Sequence, residues 1–103
     1  MNIQKLMKQA QKAQLAQAEM QERLDATAIV GSAGGGMVSV TVNGSGVVRG
    51  IKLDKMVVDP SDVEALEDLL LVAIQDAQTK ANDLQQTEVQ KIMGGLGGMP
   101  GMR

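Results

Sequence analysis

The sequence predicts an α+β protein in which a small antiparallel sheet is flanked by two long helices, in the order α-β-β-β-α. Three observations lead to this class. The N-terminal quarter lacks Gly and Pro and repeats apolar residues every three or four positions. The middle alternates apolar and polar residues between glycine-rich breaks, and the last third returns to helical spacing. At 103 residues the chain is expected to hold one domain, residues 1–93, followed by a tail, residues 94–103.

Residues 3–26 form the first predicted helix, because they are rich in Gln, Ala, Lys and Glu, which favour helices. Their apolar positions follow a heptad pattern that is interrupted only by the polar Gln17. This apolar seam consists of Ile3, Leu6, Ala10, Ala13, Met20 and Leu24. Since the alanines in its middle are small, we expect that a partner helix approaches closely along the seam.

Three short strands are predicted next. The second alternates apolar and polar side chains cleanly, and the Asn-Gly-Ser-Gly turn that follows it predicts a hairpin, because these residues accept positive φ. The third strand begins with two valines, so its register stays open, and with it the side on which Arg49 and Lys52 lie. The strands are expected over residues 28–31, 37–43 and 47–55.

The second helix is predicted to begin at Asp59-Pro60, where an oxygen-bearing cap precedes a proline at the first helical position. Four acidic residues then follow near the positive end of the helix dipole, where they are stabilising. Helical spacing continues to Met93. The glycine-rich segment at residues 94–103 predicts a mobile tail.

The dimensions of these elements predict a homodimer. The first helix would be about 36 Å long and the second about 50 Å, whereas a compact chain of this size has a radius of gyration of about 13 Å. The chain has no Phe, Tyr or Trp, so its own core lacks large side chains. A second copy that covers the helices would supply the missing core.

The composition excludes several classes of function. Without Cys and His the chain lacks the thiolate nucleophile, the usual base near neutral pH and the commonest metal ligand. The glycines at residues 34–36 precede a strand and no Gly-Lys-Ser sequence follows, so a phosphate loop is not indicated. The paired carboxylates at the start of the second helix are better explained as helix caps. We therefore predict neither an enzyme nor a protein that binds a metal, a cofactor or a small-molecule substrate.

The sequence also predicts a cytoplasmic location. No signal peptide is visible, because the N-terminus has no apolar stretch behind its first lysine. The longest apolar run, Leu69 to Ile74, is much shorter than the roughly 20 residues that a membrane-spanning helix needs. No association with a membrane is expected.

Charge is unevenly distributed along the chain. The net charge is −2, but residues 1–18 contain three lysines and no acid, whereas residues 59–90 contain eight acids and only Lys80. The three lysines, Lys5, Lys8 and Lys12, are spaced by three and four and so form one lysine stripe on the helix opposite the apolar seam. The stripe is either an ordinary solvated face or a site for an anion.

Among anions, duplex phosphates fit the stripe best. Proteins that bind single strands stack bases on aromatic rings, and this chain has none. A helix that lies on a membrane needs a broad apolar face, whereas this one is narrow and rich in alanine. Duplex phosphates require only suitably spaced Lys and Arg. The neighbouring Gln4, Gln9 and Gln11 are candidates for further phosphate or adenine contacts.

Several segments resemble the YbaB/EbfC family of bacterial nucleoid-associated proteins. They are the opening helix rich in lysine and glutamine, the block Gly31 to Gly44, the strand Val48 to Asp54, Leu66 to Leu70 and the Gly-Met-Pro-Gly tail. The resemblance spans essentially the whole chain. It implies a tweezer-shaped homodimer that binds double-stranded DNA, alters its conformation, organises the nucleoid and regulates gene expression.

The resemblance implies no catalytic residue, and it places the DNA contacts on the helices. On this chain the cations concerned are Lys5, Lys8 and Lys12, and further Arg23, Lys80 and Lys91. One alternative remains at this point: a dimeric helical scaffold that binds a protein partner, with an incidental affinity for DNA. The sequence indicates neither a preferred DNA site nor the genes affected.

Overall fold

The computed structural model describes residues 2–95, and within them the order of elements is the predicted one. An N-terminal helix and a C-terminal helix flank three strands and a single turn of 3₁₀-helix. The α+β class and the α-β-β-β-α order are therefore confirmed. The elements are α1 (Ile3–Ala26), β1 (Ala28–Ala33), β2 (Val38–Asn43), β3 (Val48–Leu53), the 3₁₀ turn (Lys55–Val57) and α2 (Val63–Gly95).

The predicted start of α2 at Pro60 was wrong by three residues. Asp59 binds the backbone N–H and hydroxyl of Ser61 at 2.9 and 2.7 Å and so closes a tight turn. The helix begins at Val63, and Asp62 caps it by accepting the backbone N–H of Ala65 at 3.3 Å. The fixed φ of Pro60 suits a position in this turn as well as it suits the first position of a helix.

Several other boundaries differ from the prediction. Strand β2 begins at Val38, and β3 spans Val48–Leu53 and not residues 47–55, because Asp54 caps the 3₁₀ turn that begins at Lys55. Strand β1 continues to Ala33, because the full length of β2 is available to pair with it. Helix α2 continues through the first two residues of the predicted tail, to Gly95. The rest of that tail, residues 96–103, lies outside the described residues.

The strands form one antiparallel sheet in the order β1-β2-β3. Val40 at the centre pairs with Ile51 of β3, so the two side chains share a face. A β-bulge then places Val48 opposite Val42, and Arg49 is the additional residue. The bulge explains why the hydrophobic pattern alone did not fix the register of β3.

Helix α2 covers one face of the sheet, mainly above β1 and β2. The core contains only small and β-branched side chains, which suits a composition without aromatic residues. It consists of Ala33, Val38, Val40 and Val42 from the sheet and Ala73, Ala77 and Ala81 from the helix. Because the helix contributes alanines, its backbone lies close to the strands.

The molecule is elongated. Its radius of gyration is 19.7 Å and its principal extents are 70 × 26 × 16 Å, compared with a radius of about 13 Å for a compact chain of this length. Both helices extend beyond the sheet, and residues 3–12 of α1 are exposed throughout. Among residues 2–95, no helix combines the length and apolar character needed to cross a bilayer.

Candidate nucleic-acid interface

The lysine stripe lies on the projecting half of α1. Asn2 caps this helix by accepting the backbone N–H of Lys5 at 3.3 Å, so the helix is formed from its first turn. Lys5, Lys8 and Lys12 are exposed, and their Cα positions span about 10 Å of the helix axis. None of the three forms an ion pair with another residue of the described part of the chain. Their charges are therefore available to an external anion.

Arg23 and Lys91 have an internal partner, Glu88. The guanidinium of Arg23 donates to Glu88 Oε1 from Nε at 3.1 Å and from Nη2 at 2.8 Å. Lys91 Nζ binds the other oxygen, Oε2, at 3.1 Å. The Glu88 side chain is only 9% exposed, and the hydrogen bonds from Arg23 and then Lys91 hold the pKa of its carboxyl below the ordinary value. Both cations thus neutralise a nearly buried carboxylate where α1 meets α2.

Lys80 is bound to the outer edge of the sheet. Its Nζ donates to the carbonyl oxygen of Val30 at 3.1 Å and lies 3.3 Å from Asp76 Oδ2. Asp76 in turn accepts the backbone N–H of Ser32 at 3.0 Å. The hydrogen bond from Ser32 lowers the pKa of Asp76 most, and the hydrogen bond from Lys80 lowers it further. Together the two α2 side chains satisfy backbone groups that an edge strand leaves unpaired.

The six predicted site residues therefore fall into three places. The stripe lysines are exposed on the projecting half of α1 and form no ion pair among the described residues. Arg23 and Lys91 both bind Glu88, and Lys80 binds the edge strand of the sheet. Arg23 nevertheless lies on the side of α1 that carries the stripe, since eleven residues (23 − 12) separate it from Lys12 and this is close to three turns. The structure does not bring Lys80 near the stripe.

Three exposed cations near β3 were not among the predicted site residues: Arg49, Lys52 and Lys55. Lys52 pairs with Ser39 and lies on the sheet face that points away from α2. Lys52, Ser39 and Thr41 line a shallow depression of about 400 Å³. Only the register of β3 could have revealed this placement.

No metal centre accompanies these cations within residues 2–95, which contain no group of three or more carboxylates placed to hold a metal ion.

The acidic start of α2 lies beside the β1–β2 turn, where Leu69 approaches Gly34. Helix α1 ends beside the β2–β3 turn, where Gly44 N–H binds Leu24 O at 2.7 Å. The four acids at the start of α2 and the lysine stripe consequently lie at opposite ends of the elongated molecule, whereas Glu19 and Glu22 lie on α1 itself.

Comparison with known proteins identifies the family. Residues 1–96 match the model of the YbaB/EbfC DNA-binding family. A nucleoid-associated protein of Thermus thermophilus is 52% identical over 103 residues, covering 98% of this chain and 97% of the relative. A nucleoid-associated protein of Streptomyces avermitilis is 46% identical over 103 residues, covering 98% of this chain and 91% of the relative.

The fold also occurs in a solved structure. The crystal structure of an uncharacterized Helicobacter pylori protein, HP0035, superposes with a TM-score of 0.80 at 23% identity, covering 89% of this chain and 97% of the other. The family and the curated relatives are those of nucleoid-associated DNA-binding proteins, not of enzymes. By its sequence over nearly its full length, this chain belongs to the YbaB/EbfC DNA-binding family.

Proposed function

We propose that this protein binds duplex DNA as a homodimer, chiefly by contacts between the lysine stripe of α1 and DNA phosphates. The observation that carries the proposal is the exposed stripe, Lys5, Lys8 and Lys12, on the half of α1 that projects from the molecule. None of its lysines forms an ion pair with a residue between positions 2 and 95. Family membership and the nucleoid-associated names of the relatives support it. Binding to phosphates positions a protein on a duplex without reading its sequence.

The placement of the four acids at the start of α2 is consistent with this mode of binding despite the net charge of −2. The acids at the start of α2 lie at the end of a 70 Å molecule remote from the stripe. The length of the molecule is several times the Debye length of about 8 Å at physiological salt. DNA bound at the stripe would therefore be screened from the acidic end.

An uncovered apolar surface supports the homodimer. Because α2 lies above β1 and β2, the side chains of β3 that share its face remain half exposed, including Ile51 at 50%. Leu71 is similarly exposed on α2. We define this apolar strip by Val48, Ile51 and Leu53 of β3 and Leu71 of α2. Exposed apolar surface of this kind marks an interface, and in a chain whose own core is this small a second copy is the occupant that we propose.

Several consequences follow for the cell. A dimer that carries two projecting stripes would contact phosphates at two places and so constrain the path of the duplex between them. We infer a role in organising the nucleoid, with effects on gene expression as a result. The protein would then reside with the nucleoid in the cytoplasm, and it would need neither a cofactor nor a small-molecule substrate.

The test is a titration of labelled duplex with protein at several salt concentrations. Two copies carry six stripe lysines, and each neutralised phosphate contributes about −0.9 to the slope of log affinity against log salt, so full engagement gives a slope of about −5. Changing Lys5, Lys8 and Lys12 to Gln should flatten this slope and weaken all sequences about equally. The matched control changes Arg49, Lys52 and Lys55 to Gln, which removes the same charge from β3 and the 3₁₀ turn, outside α1.

The two possible failures are distinct. If both triple variants weaken binding equally, the contact is a general effect of charge and the stripe is not the site. If the wild-type dimer fails to bind duplex at physiological salt, the alternative of a scaffold for a protein partner replaces the proposal.

A further inference from the structure

Within residues 2–95, helix α1 packs against the other elements only near its C-terminal end. Leu24 is its one buried residue, and Met20 beside it is half-buried. Everything before Ala13 is exposed. The lysine stripe thus lies on the projecting N-terminal half of α1, and its position depends on the contacts around residues 20–27.

Those contacts include one nearly buried charge that the proposed DNA contacts do not use. Glu88 of α2 receives both hydrogen bonds of the Arg23 guanidinium, at 3.1 and 2.8 Å, and one from Lys91 at 3.1 Å. It is the only buried charged residue among residues 2–95. Both guanidinium bonds end on one carboxylate oxygen, Oε1, and Lys91 binds the other, so charge-assisted hydrogen bonds restrain the carboxylate at both of its oxygens.

We propose that Glu88 is a positioning residue, which sets the angle at which α1 presents its lysine stripe to DNA. This inference rests on the proposed function, because it concerns the same stripe. Arg23 is the residue of α1 that binds Glu88, and Lys91 of α2 binds the second carboxylate oxygen.

The arrangement around the apolar contact of α1 supports a role in orientation. On the other flank of the helix, Gln21 binds Ser45 Oγ at 2.7 Å, and Ser45 binds Asp25 Oδ1 at 2.7 Å. Gln21 and Arg23 are two residues apart and therefore point in nearly opposite directions around the helix, about 200° apart. With Leu24 buried between them, the two polar contacts restrain α1 from rolling to either side.

A small change in the angle of α1 at Arg23 produces a large displacement of the stripe lysines. Lys5 precedes Arg23 by eighteen residues (23 − 5), or about 27 Å along the axis. A rotation of roughly 10° at Arg23 would move Lys5 by about 5 Å, more than the rise of about 3.4 Å between phosphates on one strand. Loss of the Glu88 contact would therefore misplace the lysines without altering them.

Whether Glu88→Gln strengthens or weakens DNA binding distinguishes a positioning role of Glu88 from a purely electrostatic one. Glu88→Gln removes a negative charge near the stripe helix and releases two cations, so electrostatics alone would strengthen binding to DNA. A loss of orientation would weaken it and would flatten the salt slope by about 0.9 for each phosphate that the lysines no longer reach. The control is Glu22→Gln, which removes the same charge from an exposed residue of α1 that forms no ion pair with any described residue.

A distance measurement reads the angle directly. The chain has no cysteine, so Gln11→Cys on α1 and Thr79→Cys on α2, both at exposed positions, provide specific sites for spin labels. Labelled protein is diluted with unlabelled protein so that distances within one chain dominate. We expect a single narrow distance in the parent and in the Glu22→Gln background, and a broadened or shifted distance with Glu88→Gln.

The proposal is supported if Glu88→Gln broadens the distance and weakens duplex binding. It is overturned if the distance is unchanged, or if binding is as tight as in the parent or tighter. Should Glu88→Gln fail to fold, Arg23→Gln, at a position that is more than half exposed, opens the same contact from α1, and an unchanged distance in that variant also overturns the proposal. Failure of the parent to bind DNA would count against the proposed function, while the distances would still decide whether Glu88 orients α1.

Discussion

Gly31 of β1 lies directly against the backbone of Ala77 in α2. A Cβ added at Gly31 would be 2.7 Å from the Cα of Ala77 and 2.5 Å from the carbonyl oxygen of Ala73. Both atoms belong to the backbone of a regular helix, so neither can move without displacing the helix as a whole. The glycine and the alanines together explain how a core without aromatic residues stays closely packed.

Gly31→Ala should therefore destabilise the protein. Overpacking of this kind costs about 1–3 kcal/mol, which corresponds to a melting temperature lower by about 5–20 °C for a domain of this size. Circular dichroism during heating measures the change. Gly50→Ala is the control, because a Cβ at Gly50 would meet no atom within 4 Å and its φ is not in the left-handed region. Equal losses in the two variants would contradict the packing argument.

The order of elements could be predicted because it depends on local patterns. Alternating valines define β2 and the absence of Gly and Pro defines α1, both with bounds close to those found. The register of β3 could not be predicted, since the bulge that adds Arg49 leaves no signature in a strand with valine on both faces. The apolar seam of α1 was predicted along the whole helix, but only its C-terminal half packs within the chain.

The surroundings of the candidate site residues could be predicted only in part, for a different reason. Spacing placed the lysine stripe correctly on one exposed side of α1. Spacing says nothing about ion pairs between distant residues, and Arg23 and Glu88 are 65 positions apart. The bond between Lys80 and the carbonyl oxygen of Val30 spans 50 positions. Whether a cation is free or engaged follows from the tertiary structure, which the sequence pattern does not contain.

We expect Lys80→Gln to affect DNA binding much less than Lys8→Gln. Lys8 is unpaired within the described residues, so its loss from both copies should reduce the salt slope by about 1.8. Lys80 binds Val30 and Asp76, and a glutamine amide can still donate to that carbonyl oxygen. Titrations of one duplex at several salt concentrations compare the variants. Equal changes of slope would mean that the edge of the sheet also contacts DNA.

Acid should destabilise the fold through Glu88 and Asp76. Both carboxyls have a lowered pKa in the folded protein, Glu88 chiefly because of Arg23 and Asp76 chiefly because of the backbone N–H of Ser32. A lowered folded pKa means that the stabilisation is complete at neutral pH, above the unfolded pKa of about 4. It is lost as the pH falls through the lower folded value.

Melting temperatures measured from pH 7 to pH 3 check this expectation. The parent should be constant near neutrality and lose stability below about pH 4. Glu88→Gln should start from a lower melting temperature and lose less on acidification, because glutamine does not titrate. Parallel curves for the two proteins would show that Glu88 contributes nothing to the acid sensitivity.

The apolar strip predicts where a single charge will separate the dimer. Ile51 lies in the strip and is 50% exposed in one chain, whereas Val30 is 53% exposed on the opposite face of the sheet. Ile51→Glu would place a carboxylate in the interface, where an unpaired buried charge is strongly unfavourable. Val30→Glu introduces the same carboxylate at a β-branched position of matched exposure, outside the strip.

Light scattering at low micromolar concentration should give about twice the chain mass of 10.8 kDa for the parent and for Val30→Glu. Ile51→Glu should give the monomer mass or unfold, because the strip then remains in water. A monomeric parent would remove the homodimer from the proposed function. If Ile51→Glu remains dimeric while Val30→Glu does not, the copies meet through the open face of the sheet, around Ser39 and Lys52.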